Sequence, residues 1–154
     1  MFITRSLLAE VVREAQAAPR RRKNRNFHAG NDAHTHRMLN ALEPDSYVQP
    51  HRHLDATKDE TIIAVSGAFG VVLFDMQGQT VETGVIAPGS ESIGIDVAHG
   101  RFHTVLALLP GSVFFEAKAG PYVPIAEAER AAWAPAEGDP AAASYLAKLR
   151  RLFA

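Results

Sequence analysis

The feature that most constrains the fold is a succession of short β-rich runs between Met38 and Lys118. They read MLNAL, SYVQPHRH, TIIAVSG, AFGVVLFD, QTVETGVI, ESIGIDV, HTVLALL and SVFFEAK. Glycine, proline or aspartate separates them, and DMQG and LLPGS have the composition of hairpin turns. Seven or eight short strands in about 80 residues, with no helical periodicity between them, point to an antiparallel sandwich or barrel. A chain of 154 residues is long enough to bury one real core and fits a single domain.

The flanks read differently. Residues 4–17 carry Leu7, Leu8, Val11, Val12 and Ala15 at three- and four-residue steps, which predicts an amphipathic helix ended by Pro19. A polar loop with a basic run follows, Arg20, Arg21, Arg22, Lys23 and Arg25. After Pro121 the sequence turns alanine-rich, and Asp139 with Pro140 marks the start of a last helix through Tyr145, Leu146, Leu149 and Leu152. The expected organisation is an N-terminal helix and basic loop over 1–37, a β core over 38–120 and a helical segment over 121–154. Phe114 and Phe115 cannot share a face of one strand, so one ring is expected to meet a helix or a second copy. Trp133 is expected to anchor the C-terminal helices.

Composition excludes several functions. There is no cysteine, which removes disulfides, zinc ribbons and thiol chemistry. The net charge of −1 gives no global field toward nucleic acid or anionic membrane. Arg5, Glu10 and Arg13 interrupt the N-terminal apolar residues, so no signal peptide is expected, and no apolar run is long enough to span a bilayer. The expectation is a cytoplasmic protein with neither nucleic-acid nor membrane partners.

The chemistry concentrates in VQPHRHLDATKDETIIAVSG. On an extended chain His51 and His53 share a face, and neutral imidazole is a common ligand for transition metals. Glu60 at the next strand can add a carboxylate, and His103, opening HTVLALL, is the best fourth donor. A second His-x-His, His34 and His36, is expected to be loop and dispensable. Tyr47 shares the parity of His51 and is a candidate catalytic group, as is Lys58 beside Glu60. Asn24, Asn26 and His28 alternate in KNRNFH. Arg25, Asn26, His28 and Arg37 are candidate ligand contacts.

The spacing adds specificity. Asp45, five residues, His51-x-His53, six residues, Glu60, six residues, Gly67 resembles the first cupin motif. GIDVAHGRFHTV, with Gly100 and His103, resembles the second. Asp45 stands where the first motif has glycine, and the gap from His53 to Glu60 is longer than usual. Ala98 and Ala107 replace the proline and asparagine of the second. PRRRKNRNFH, HRMLNALEPDSYVQPHRH, KDETIIAVSGAFGVVLFDMQG and FFEAKAGPY further resemble the WbuC-type cupin-fold metalloproteins, over about residues 1–124. Some members of that family are associated with surface-polysaccharide gene clusters.

The resemblance implies a single cupin jelly-roll β-barrel with N- and C-terminal helices. It implies a divalent metal (Fe, Mn, Ni, Co or Zn) on His51, His53, Glu60 and His103. Family analogy also implies a homodimer. It leaves two functions open. One is an enzyme on a small polar or carbohydrate-derived molecule, of isomerase, epimerase or oxygenase type. The other is a non-catalytic metal-containing carbohydrate-binding module. A degenerate barrel without metal is the third expectation.

Overall fold

The computed structural model describes residues 1–154. Helix α1 spans Arg5–Ala17, and Thr4 caps it by accepting a hydrogen bond from the Leu7 amide. Eight strands follow: β1 Arg22–Asn26, β2 Thr35–Leu42, β3 Glu60–Ser66, β4 Phe69–Phe74, β5 Thr80–Ile86, β6 Gly94–Val97, β7 Phe102–Ala107 and β8 Ser112–Ala119. A short 3-10 turn at Glu127–Glu129 precedes α2, Ala142–Arg150. Asp139 accepts a hydrogen bond from the Ala141 amide just before α2.

The strands form two antiparallel sheets. One has five strands in the order β1-β2-β8-β3-β6, the other three in the order β5-β4-β7. Three apolar clusters explain the layering. Ile62, Phe69, Val71, Val105 and Phe114 fill the space between the sheets. Val11 and Ala15 of α1 pack on Leu39, Ala41 and Val113, the outer face of the large sheet. Val72, Phe74, Phe102 and Leu106 turn outward from the small sheet and are covered by Leu146, Leu149 and Trp133. Period-two alternation in β4, β7 and β8 lets each strand feed two clusters, which is why their residues are buried on both faces. Phe114 enters the space between the sheets, while Phe115 packs beside α1. Trp133 rests against Phe74 and Phe102.

This architecture corrects the expected closed jelly-roll barrel. Both sheets are open, with β1 and β6 at the edges of one and β5 and β7 at the edges of the other. The expected strand SYVQPHRH is where closure fails. Pro44 and Pro50 have no amide to donate to a ladder. Only His51 pairs with β7, through one isolated bridge to His103. β5 is exposed at all but its last residue and meets only β4.

β1 is a second correction, since the basic loop contains a strand. Arg22–Asn26 pairs antiparallel with β2 from Arg22 opposite Leu42 to Asn26 opposite Met38. Its side chains are polar on both faces, as suits an edge strand.

Candidate metal centre

One end of the space between the sheets is apolar and the other is polar. Inward positions of β3 run Glu60, Ile62, Ala64, and those of β8 run Phe114, Glu116, Lys118. Antiparallel register sets Glu60 directly opposite Lys118. His103, the second residue of β7, lies opposite Leu73 of β4. The segment before β3 brings His51 alongside His103, with reciprocal backbone hydrogen bonds of 3.0 and 2.9 Å.

His51, His53 and Glu60 each offer a donor atom, and these atoms all lie within 4.8 Å of one another. The His53 Nε2 is 3.2 Å from Glu60 Oε2, and the His103 Nε2 is 3.5 Å from the same oxygen. Two imidazoles are oriented by the main chain. His51 Nδ1 lies 3.0 Å from the Gln49 carbonyl and His103 Nδ1 lies 3.0 Å from the Arg101 carbonyl. A proton on each Nδ1 satisfies those carbonyls and leaves Nε2 as a lone-pair donor. His51, His53 and Glu60, close together and with the His51 ring held by the Gln49 carbonyl, fit a divalent transition metal.

The electrostatics follow from burial. Burial, aided by the neighbouring His103, pushes the His51 imidazole down to about 3, against the pull of Glu60 and the Gln49 carbonyl. It is therefore neutral near pH 7, the form that binds a metal. Burial alone would raise Glu60. Hydrogen bonds from His103 and His53 and the charge of Lys118 outweigh it and hold the carboxyl well below its usual range. Burial also opposes charge on His103, but Glu60 prevails and raises it. Glu116 is pushed up to about 7 by burial and by Glu60, with Lys118 opposing.

The other sequence candidates sit elsewhere. The Tyr47 hydroxyl donates to the Pro135 carbonyl at 2.8 Å, and its ring joins the cluster outside the small sheet. Lys58 Nζ donates to the Pro121 carbonyl at 3.0 Å. Arg25 is paired with Glu10 and Glu14 of α1. Asn26 accepts from the Asn24 amide at 2.6 Å. Arg37 donates toward the Phe27 carbonyl at 3.4 Å. His28 stacks on His36 with ring centroids 4.0 Å apart. His36, expected in a loop, lies in β2 and is buried.

A cavity of about 420 Å³ opens beside His51, lined also by Arg20, Arg22, Gln49, Arg130 and Glu137. None of Arg25, Asn26, His28 or Arg37 borders it. Sequence reasoning missed Arg130, Glu116 and Lys118. The alternation in SVFFEAK puts Glu116 and Lys118 on one face of a strand, a signal that was available. Arg130 left none, because its position depends on pairing with a distant segment.

Residues 3–86 match the family model described as a domain of unknown function, DUF6016. The chain belongs to this family. The matched DUF6016 region includes His51, His53 and Glu60 and ends before His103. No curated protein matches the chain. Among solved structures, KdgF from Halomonas sp. is similar with a TM-score of 0.53 and 21% identity, over 69% of this chain and 84% of that one. A conserved protein of unknown function from Streptococcus pyogenes, SPY1581, is similar with a TM-score of 0.51 and 14% identity, over 69% of this chain and 80% of that one. At these identities the likeness is one of fold, and that fold is cupin-like. No helix of this DUF6016 chain is long and apolar enough to cross a membrane.

Proposed function

We propose that this chain is a divalent-metal protein of the WbuC type that acts on a small polar or carbohydrate-derived molecule. The observation that carries the reading is the convergence of His51, His53 and Glu60 donors within 4.8 Å. His103, 3.5 Å from Glu60, is proposed as the fourth ligand. A metal held there would supply Lewis acidity at whatever coordination position the protein leaves open. Gln49 and Arg101 fix the imidazole orientations through their carbonyls. Lys118 helps keep Glu60 ionised. The cavity bordered by His51 is the proposed entry for a small molecule.

The two candidate acid–base groups favour keeping a second reading, a non-catalytic metal-containing carbohydrate-binding module. Tyr47 and Lys58 both donate to main-chain carbonyls, which supports positional roles for them.

Elemental analysis of protein purified without a histidine tag or chelator tests the metal. About one iron, manganese, nickel, cobalt or zinc per chain is expected. The double variant His51→Ala, His103→Ala should lose it and keep its β circular dichroism. Full metal retention in that folded variant would sink the assignment. Oxygen uptake by the ferrous-loaded protein with candidate sugars then separates oxygenase chemistry from simple binding.

A further inference from the structure

His51 is the middle member of a row of three paired residues. On one side it bridges His103, and on the other it bridges Arg130. The first pair exchanges both backbone hydrogen bonds. The second is flanked by bonds from the Arg52 amide to the Glu129 carbonyl, 2.9 Å, and from the Ala131 amide to the Pro50 carbonyl, 3.0 Å. It is therefore the non-hydrogen-bonded kind of antiparallel pair, in which side chains lie closest. Directly paired residues project to the same face. The Arg130 side chain thus rises beside the His51 imidazole, and both border the same cavity.

The charge of that cavity is lopsided. Arg20 and Arg22 converge on one carboxylate, Glu137, with Arg20 Nη2 at 2.7 Å from Oε2 and Arg22 on Oε1. Arg130 donates once, to the Ile125 carbonyl at 3.0 Å, and makes no ion pair. Three guanidiniums thus face one acid. Arg130 keeps most of its five N–H donors available in a planar fork, the geometry that grips an oxyanion with two bonds.

The geometry points to an oxyanion-binding subsite in this cavity, with Arg130 as its principal anchor and Arg20 and Arg22 supplying the surrounding positive field. The ligand is a small molecule bearing a carboxylate or phosphate. Held at Arg130, its remaining atoms are presented to the His51 side of the candidate metal centre. This deepens the proposed function by naming a substrate class, and it rests on that reading only for the sugar skeleton of the probes below.

The test is calorimetric titration of the protein, metal-loaded and metal-free, with glucuronate, glucose 6-phosphate and glucose. At least one charged sugar should bind about 10-fold or more tighter than glucose. Arg130→Ala should weaken that binding by about 10-fold or more, and Arg130→Lys should recover part of it. Metal content and melting temperature should not change in either variant, which separates an anchoring role from a structural one. The preferred probe identifies carboxylate or phosphate as the group recognised. Equal binding of glucose, failure of both charged sugars to bind, or unchanged affinity in Arg130→Ala each overturns the proposal. If the chain takes up no metal, the proposed metal function falls, while the metal-free titration still judges the arginine site.

Discussion

The Lys118 ammonium lies 2.6 Å from the Glu116 carboxylate, inside the polar end of the space between the sheets. It is also 3.8 Å from Glu60, its cross-strand partner. Glu116 gains a further donor from Asn40 at 2.8 Å. One cation therefore stands between two buried acids, one of them a candidate metal ligand. Lys118→Met should leave those acids facing each other and cost about 3 kcal/mol at pH 7, read by urea denaturation of metal-free protein. Adding Glu116→Gln should restore most of the loss. A single-variant cost under about 1 kcal/mol would show that Glu116 takes up a proton and relieves the repulsion.

Metal should stabilise the folded chain. An unfolded chain does not hold His51, His53 and Glu60 together, so binding shifts the equilibrium toward the native state. With free metal at about 100 times its dissociation constant, the gain is about 2.7 kcal/mol. Thermal melts with and without chelator should show the shift in wild type and none in His53→Ala. An equal shift in both would place the bound ion elsewhere.

Glu129 predicts a pH dependence. Its carboxylate accepts from the Leu54 amide at 2.8 Å and the Ala126 amide at 2.9 Å. Burial pushes this carboxyl up, but the two amides outweigh it and hold it below the usual range. A depressed folded value means that the contribution is present above the unfolded value near 4.5. It is lost as pH falls through the folded value. Glu129→Ala should cost about 1 kcal/mol at pH 7. The gap between variant and wild type should narrow on acidification below about 4.5. A gap that stays constant down to pH 2 would remove this carboxylate as its source.

Gly67 sits at the β3–β4 turn with φ of +71°. A Cβ there would fall 2.1 Å from Ser112 Oγ and 2.8 Å from Ser112 Cα. The serine cannot retreat, because its Cα belongs to β8. Gly67→Ala combines left-handed strain with a backbone clash and should cost about 3 kcal/mol in chemical denaturation. A loss below about 0.5 kcal/mol would mean the turn relaxes freely.

What was legible in the sequence follows the range of each interaction. The step of Val11 and Ala15 announces α1 because a helix face is written within a few residues. His51 and His53 are legible as a pair for the same local reason. Glu60 and His103 are candidates from their places at strand starts, with motif spacing adding specificity, and the structure sets His53 and His103 at 3.2 and 3.5 Å from the Glu60 carboxylate. β1 is not legible, because an edge strand with Arg22, Lys23 and Asn24 carries no apolar alternation. Barrel closure is not legible either, because strand patterns do not specify which edges meet, and the segment around Pro50 joins β7 only through the His51 bridge. Arg130 is the furthest case. Nothing around it in the sequence marks a site, and only its pairing with His51 brings it there.

That pairing divides the pocket between two parts of the chain. The proposed ligands belong to the strand framework and the segment leading into it, whereas Arg130 and Glu137 come from the stretch between β8 and α2. Pocket lining and the proposed metal ligands thus meet at one residue, His51. Changing the Arg130 side chain alone would alter what that wall offers a guest, while the backbone pairing that holds His51 in place would stay. The cavity thus has a histidine floor set by one part of the chain and an arginine wall set by another.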